Sequence, residues 1–261
     1  ENLITPRTKC ILPVHLYGNS CNMRAILDIA KKYGLYVIED AAQAHGSSLD
    51  GKKVGSFGDL TCFSFYPTKN LGGLGESGGV STNSDLLCNK LKSLRNYGRD
   101  REDGSLNQYA GSNKRGDEIQ AAFLSRKLQN LDCIKQQRLE LISRYKDNLS
   151  EILSLGSLIQ YQSTSSPHLA VFRLQSKAKR DGLIDYLKEN NIQTAVHYKV
   201  PCFMQPFIDK QSLIISESVC KQSQDIADTI ISLPMSESHT VEEIDYVSKA
   251  IQEFSLVSKY L

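Results

Sequence analysis

Three short segments in the first half of the chain contain residue types whose spacing could serve chemistry. In the first, the apolar run Val37–Ile38 ends in the carboxylate pair Glu39–Asp40, and small residues follow. Ligands of open α/β sheets bind beyond the carboxyl ends of the strands, where a carboxylate can pair with a cationic ring nitrogen. The alternative is that Asp40 only caps the following turn.

The second segment presents a lysine between two apolar elements. A run ending near Ser64 is followed by a turn that carries Lys69 and then by a glycine-rich stretch over 72–79. Burial would lower the pKa of the Lys69 amine and free it as a nucleophile. Because the lysine precedes the glycines, the pattern is not a Walker A phosphate loop. A surface lysine in a flexible loop is the alternative.

The third segment places Asn113 and Arg115 in a polar loop just before a predicted helix. Helix starts favour anions, so both residues could contact a phosphate or a carboxylate. A solvated loop that ends in a helix cap explains the same residues. Taken together, an aspartate for a ring nitrogen, a lysine to form an imine and a serine to hold a phosphate are what a pyridoxal phosphate site needs.

The elements that must position these residues alternate between strand and helix. Apolar runs predict four strands, at 10–16, 35–38, 60–65 and 79–82. Helical spacing predicts helices over 23–34, 85–94 and 117–153, with residues 97–116 as a long loop. Strands separated by a helix indicate an α/β fold with a mostly parallel sheet whose faces are covered.

The second half of the chain differs in composition. Residues 154–167 are rich in Ser, Gly and Gln and are predicted to form a linker. Beyond them, the pattern predicts strands over 169–174 and 192–196 and helices over 180–190, 216–231 and 241–254. We therefore expect a large cofactor-binding domain with a connecting helix over 1–154, and a small α+β domain over 155–261.

Overall composition excludes several classes of protein. The 31 Lys and Arg against 29 Asp and Glu give a formal charge of +2, so no basic face for nucleic acid is expected. No apolar run approaches the roughly 20 residues of a membrane-spanning helix. Seven cysteines without a CxxC pair indicate reduced thiols, a cytoplasmic protein and no metal site.

In this order, the segments resemble the DegT/DnrJ/EryC1/StrS family of sugar aminotransferases. The matching segments are 39–46, 64–70, 94–98, 111–122 and His197–Tyr198 near Pro201, within a likeness that runs from Pro13 to Pro234. The resemblance implies the fold-type-I aminotransferase architecture, with a mostly parallel sheet flanked by helices and a smaller C-terminal α+β domain. It also implies a homodimer with shared active sites.

The resemblance implies roles for five residues. Lys69 would form the covalent link to pyridoxal 5'-phosphate and then move the proton. Asp40 would pair with the pyridinium nitrogen, and Gln43 would lie against the ring near its hydroxyl. Ser64 would bind the phosphate, and Asn113 would reach the phosphate of the neighbouring subunit's cofactor.

The chain also departs from the family pattern. Lys199 stands where proline usually follows His-Tyr, and Gly116 stands where a hydrophobic residue usually follows the arginine of Asn-x-Arg. Both departures would alter substrate contacts and leave the imine chemistry unchanged. Four histidines are expected to be hydrogen-bonded structural residues rather than catalysts: His15, His45, His168 and His197.

The activity implied by the resemblance is transamination of a nucleotide-linked keto-sugar, with glutamate as amino donor. Lys69 favours this reaction, because some relatives that catalyse dehydration carry His at that position. Dehydration or epimerisation on the same cofactor stays open. A non-catalytic relative stays open too, because relatives carry about a hundred more residues before the position of Glu1. We expect that front portion of the large domain to be missing.

Overall fold

The structure is a computed structural model that describes residues 1–100, 102–208 and 217–257. The chain divides into two compact units. One comprises residues 6–135 and 164–166, and the other comprises residues 1–5, 136–163 and those from 167 onward.

The first unit contains the strands β1 (Cys10–Ile11), β2 (Tyr36–Asp40), β3 (Ser48–Leu49), β4 (Lys52–Lys53), β5 (Leu60–Ser64) and β6 (Gly78–Ser81). Four of them form one sheet in the order β1-β2-β5-β6, and β3 pairs with β4 separately. β2 is parallel to both β1 and β5, whereas β6 returns antiparallel to β5. The predicted mostly parallel sheet is thus confirmed, with an antiparallel edge.

The strand predicted over 10–16 is shorter than expected. β1 ends at Ile11, and Pro13 has no N–H to donate to the neighbouring strand. Val14 still forms an isolated parallel bridge with Asp40. A short 3-10 helix over Leu16–Gly18 then turns the chain away from the sheet.

Two helices of this unit match their predicted spans. α1 (Met23–Tyr33) ends at Gly34, whose positive φ of 62° suits a residue without a side chain. α2 (Asp85–Leu94) follows Ser84, whose side chain accepts a hydrogen bond from the backbone N–H of Leu87.

The expectation that both faces of this sheet are covered is wrong for the described residues. On one face, Met23 and Ala30 of α1 pack on the buried side chain of Val37. The opposite face leaves apolar side chains of β2 and β6 exposed, as at Tyr36 and Val80. α1 covers only the face to which Val37 points.

The helical stretch predicted over 117–153 is two helices, α3 (Glu118–Leu128) and α4 (Leu131–Asn148). α3 buries none of its residues, and its Ile119 is 75% exposed. The loop before α3 contains no helix or strand among its described residues, as predicted.

The second unit is a three-stranded antiparallel sheet packed with helices. Its elements are β7 (Gly156–Leu158), β8 (Ala170–Leu174), α5 (Lys177–Glu189), α6 (Glu217–Thr229), β9 (Ile230–Leu233) and α7 (Val241–Val257). The strands lie in the order β7-β8-β9. Phe172, Leu183, Ile231 and Ile251 are fully buried in its core, together with Tyr145 from the later turns of α4.

Three predictions in this half need correction. The predicted linker contains β7, whose Gly156 lets it approach the backbone of Arg173 on β8. The strand predicted over 192–196 is reduced to one bridge between Ala195 and Ser232.

The helix predicted over 216–231 ends at Thr229, because Ile230 and Ile231 are buried in β9. The start of that prediction, Ser216, lies outside the described residues. The compact units divide within α4, after Lys135, and the domain boundary expected near residue 155 stays a prediction. Within the described ranges, no helix combines the length and apolar character needed to cross a bilayer.

Candidate functional site

A cavity of about 300 Å³ lies at the carboxyl ends of β2 and β5, on the exposed face of the sheet. Its wall includes Asp40 and Ser64, two of the five residues assigned from the sequence. The other lining residues are Leu12, Ile38, Glu39, Ala42, Cys62 and Phe63. Parallel β2 and β5 end together, so the fold brings these two polar side chains to one place.

The backbone of Asp40 is held by two hydrogen bonds to the segment that follows β1. Its N–H donates to the carbonyl of Pro13 at 2.9 Å, and its carbonyl accepts from the N–H of His15 at 3.0 Å. The side-chain Oδ1 accepts from the N–H of Ala42 at 3.0 Å. Asp40 therefore does cap the turn, as the structural alternative required, and its carboxylate also borders the cavity.

Lys69 lies beyond the end of β5 in a half-buried position. Burial lowers the pKa of its amine, and the charge of Asp40 opposes that shift. The two side chains are thus close enough to interact electrostatically. Ser64 Oγ accepts from the N–H of Tyr66, and the N–H of Lys69 donates to the carbonyl of Tyr66, which closes the turn between them.

Gln43 is buried beside the same region. Its Oε1 accepts a hydrogen bond of 2.8 Å from the backbone N–H of Tyr17, in the short 3-10 helix. The position of Gln43 therefore depends on the loop that follows β1.

Asn113 does not border this cavity. It lies exposed in the loop before α3, where it forms an antiparallel bridge with Asn96. The guanidinium groups of Arg99 and Arg115 lie 5.4 and 5.6 Å from the ring centre of Tyr97. This loop thus presents cations next to Asn113, and the role of Asn113 at a neighbouring subunit stays a prediction.

Sequence reasoning missed the role of Glu39, the neighbour of Asp40. Glu39 is fully buried on the opposite side of β2 and accepts five hydrogen bonds. The donors are His15 Nε2, the N–H groups of Gly55, Phe57 and Gly58, and Thr61 Oγ1. Strand alternation alone places Glu39 opposite to Asp40, which could have signalled a buried carboxylate that needs donors.

The charge state of this buried pair follows from its geometry. Burial disfavours the Glu39 carboxylate, but the hydrogen bonds from His15 and the backbone outweigh it and hold its pKa at about 2. For His15, burial lowers the pKa, but the contacts with Cys21 and Glu39 outweigh burial and raise it. A second proton on the ring would nevertheless displace the hydrogen bond that is formed at Nδ1. His15 Nδ1 accepts the backbone N–H of Cys21 at 3.0 Å, so that nitrogen holds no proton. His15 is therefore the neutral tautomer whose Nε2–H donates to Glu39.

His45 differs from the expectation of a hydrogen-bonded histidine. Its ring is 3% exposed, and neither ring nitrogen has a hydrogen-bond partner among the described residues. The ring centres of Phe63 and Phe65 lie 5.6 and 5.8 Å away. Burial, followed by the charge of Lys69, lowers the pKa of His45 to about 4, so its imidazole is neutral at physiological pH.

The donor set at the cavity fits pyridoxal phosphate. At the cavity wall, the carboxylate of Asp40 suits a protonated pyridine nitrogen and the hydroxyl of Ser64 suits a phosphate. Lys69 does not line the cavity, but it lies in the turn that follows Ser64, and an amine of lowered pKa suits an aldehyde. Within the part of the chain that is described, no three His, Cys, Asp or Glu side chains group as metal ligands would.

Comparison with known proteins identifies relatives over nearly the whole chain. A model of the DegT/DnrJ/EryC1/StrS aminotransferase family matches residues 1–252. A dTDP-3-amino-3,6-dideoxy-alpha-D-galactopyranose transaminase from Aneurinibacillus thermoaerophilus is 41% identical over 97% of this chain and 68% of its own. A "pleiotropic regulatory protein" from Geobacillus stearothermophilus is 39% identical over 97% of this chain and 67% of its own.

A solved structure supports the same relationship. NtdA from Bacillus subtilis, with the cofactor PMP bound, superposes with a TM-score of 0.86 and 30% identity. The match covers 97% of this chain and 58% of NtdA. The chain therefore spans about two thirds of the length of the curated relatives and less of NtdA.

Proposed function

Because the chain belongs to the DegT/DnrJ/EryC1/StrS aminotransferase family and has the fold-type-I aminotransferase fold, we propose that it transfers an amino group to a nucleotide-linked keto-sugar. The amino donor would be glutamate and the cofactor pyridoxal 5'-phosphate. One observation carries the proposal: Asp40 and Ser64 border one cavity, and Lys69 lies half-buried in the turn that follows Ser64.

The names of two relatives support this substrate and this cofactor. The Aneurinibacillus relative is named as the transaminase of a dTDP-linked amino sugar. The NtdA structure contains PMP, the form of the cofactor that carries the amino group. That this chain acts on a nucleotide sugar and uses pyridoxal phosphate is our proposal.

Pyridoxal phosphate, when bound, supplies a ring that accepts the electron pair left when the donor loses its α-proton. Asp40 would keep a proton on the ring nitrogen by charge pairing. The hydroxyl of Ser64 would donate to the phosphate, and Gln43 would lie against the ring. Lys69 would hold the cofactor through its amine, with loss of water, until the amine of the donor takes its place. The freed amine of Lys69 would then take the α-proton of the donor and return it to the cofactor carbon.

We further propose a cytoplasmic homodimer with shared active sites, in which Asn113 reaches the neighbouring cofactor phosphate. α3 exposes Ile119 and Phe123, an apolar surface that a second subunit would cover. All seven cysteines are free, which agrees with a reducing compartment.

Borohydride trapping tests the role of Lys69. After incubation with pyridoxal phosphate and reduction, we expect peptide mapping to find the cofactor fixed on Lys69. The variant Lys69→Ala should trap none, whereas Lys135→Ala should trap as the parent does, although burial lowers the pKa of that lysine too. Trapping on another lysine of the cofactor-saturated protein would contradict the proposal.

Product analysis separates transamination from dehydration or epimerisation. With 15N-labelled glutamate and a nucleotide keto-sugar, transamination places the label in the sugar. A sugar product without label would favour one of the other two reactions.

A regulatory, non-catalytic role is the second candidate. It is favoured by the name of the Geobacillus relative. A cofactor titration discriminates, because tight stoichiometric binding of pyridoxal phosphate by this chain would argue against the regulatory role.

A further inference from the structure

The turn that carries Lys69 is exposed before the lysine and buried after it. Lys69 is followed by Asn70, which is 1% exposed, whereas Tyr66, Pro67 and Thr68 before it are exposed. The turn is also tight, because a Cβ at Gly72 would lie 2.2 Å from the carbonyl oxygen of Pro67. The position of Lys69 therefore depends on what holds Asn70.

Asn70 is held by a serine far away in the sequence. Its Nδ2 donates to the carbonyl of Ser166 at 3.2 Å and to Ser166 Oγ at 3.0 Å. Ser166 is 0% exposed. A buried amide in this position relies on protein partners, because water does not reach it.

Ser166 is itself fixed by two further loops of the same unit. Its backbone N–H donates to Ser47 Oγ at 2.9 Å and to the carbonyl of Gly18 at 3.2 Å. The hydroxyl of Ser47 also donates to Gly18, at 2.7 Å. Ser166 thus joins the Lys69 turn to two more loops.

One of those two loops carries Gln43, and the other holds its side chain. Gly18 follows Tyr17, whose N–H holds Gln43. Ser47 ends the loop that begins after Asp40 and contains Gln43. One buried serine therefore connects the turn that carries Lys69 with the loop that carries Gln43 and with the loop that holds Gln43.

We propose that Asn70 and Ser166 are positioning residues that fix the amine of Lys69 at its half-buried place near Asp40 and so keep it reactive. This rests on the role proposed above for Lys69. A turn released from Ser166 would expose the amine to water. Its pKa would then rise, and the unprotonated, nucleophilic fraction at neutral pH would fall tenfold for each unit.

Trace acetylation with mass spectrometry tests the proposal without any cofactor. The rate at which each lysine reacts with acetic anhydride, followed against pH, gives the pKa of each amine. Asn70→Leu keeps the number and branching of the side-chain heavy atoms and removes both hydrogen bonds to Ser166, whereas Ser166→Ala removes one. We expect a higher Lys69 pKa and slower acetylation of Lys69 at pH 7 in both variants, with the larger change in Asn70→Leu.

Matched controls separate positioning from general destabilisation. Ser248→Ala deletes a buried hydroxyl bonded to Ile244 in α7, and Asn148→Leu deletes an amide bonded to Asp245. Both should leave Lys69 unchanged. Lys249, exposed on α7 in the other unit, serves as an internal reference in every sample.

An unchanged Lys69 pKa in Asn70→Leu and Ser166→Ala would overturn the proposal. If Asn70→Leu does not fold, Ser166→Ala decides, because it keeps the bond from Asn70 to the Ser166 carbonyl. If the parent protein traps no pyridoxal phosphate on Lys69, the proposed function fails, but the acetylation result still decides whether Asn70 and Ser166 position the amine.

Discussion

Glu39 and Asp40 are adjacent carboxylates, one of which is structural and the other exposed to the cavity. Because successive side chains of a strand point to opposite faces, Glu39 enters the buried network with His15 while Asp40 borders the cavity. The five hydrogen bonds of Glu39 join the segment after β1, the loop before β5 and β5 itself. Glu39 thereby supports the strand end that presents Asp40.

Glu39→Gln should lower the free energy of unfolding by about 1 to 3 kcal/mol, the usual cost of leaving a buried hydrogen-bonding group unsatisfied. The amide NH2 would face N–H donors where the carboxylate accepted them. Denaturant unfolding measures the loss. The same change at Glu253, an exposed partner of Lys249, should cost less than about 1 kcal/mol. Equal effects of the two substitutions would contradict the network.

The acid sensitivity of the fold should show two separate windows. The pKa of Glu39 is lowered from 4.5 to about 2, so its stabilisation is complete above pH 4.5 and is lost as the pH falls toward 2. The lowered pKa of His45 also makes the stability fall as the pH drops, here from 6.5 to about 4. The reason is that the ring takes up a proton more readily in the unfolded chain than in the folded one.

His45→Leu should raise the free energy of unfolding at neutral pH by about 1 kcal/mol, because it removes an unpaired buried polar ring. It should also flatten the loss of stability between pH 6.5 and 4. Denaturant unfolding across this pH range measures both effects. His15→Leu is the control and should destabilise, because it removes a donor to Glu39. A destabilised His45→Leu would show that the imidazole has a stabilising partner.

At the scale of elements, the loop between α2 and α3 is shaped by Gly98. Its φ is +76°, and a Cβ there would lie 1.7 Å from the carbonyl oxygen of Tyr109. The backbone at Gly98 therefore packs directly against the backbone at Tyr109, at a position that admits no side chain. This contact shapes the segment that carries Asn113.

Gly98→Ala should open this loop and increase proteolytic cleavage between α2 and α3. Limited proteolysis with mapping of the cut sites measures the effect. Gly104→Ala is a matched control in the same loop, because a Cβ there meets nothing within 4 Å. Equal cleavage of the two variants would rule out a special role for Gly98.

Elements with local signals were predictable, and those set by distant partners were not. α1 and α2 carry their own periodicity and caps, Asn22 and Ser84, and matched their predicted spans. β7 has a polar, glycine-containing sequence and becomes a strand only because β8 lies beside it. Ile230 and Ile231 fit a helix by period but are buried in β9, where tertiary packing overrides periodicity.

The residues of the candidate site fall into the same two groups, those with a local signal in the sequence and those that depend on distant partners. Asp40, Ser64 and Lys69 follow strands and were visible as polar residues after apolar runs. Asn70 and Ser166 lie 96 residues apart, and no local pattern pairs an amide with a serine at that distance. Their partnership required the three-dimensional arrangement.

At the scale of the whole molecule, shared active sites predict complementation between inactive variants. If each site combines Lys69 of one subunit with Asn113 of the other, Lys69→Ala and Asn113→Ala should each be weakly active or inactive alone. Unfolded and refolded together in equal amounts, they should recover about a quarter of the parent activity, since mixed dimers contain one intact site. No recovery despite mixed-dimer formation would contradict sharing.

Residues 164–166 belong to the first unit, although the chain on both sides of them belongs to the second. No single cut in the chain therefore separates the two units. A piece that stops before residue 164 would lose Ser166 and leave Asn70 and Ser47 without that partner. A short synthetic peptide that includes Ser166, supplied in trans, would be the natural means of completing such a piece.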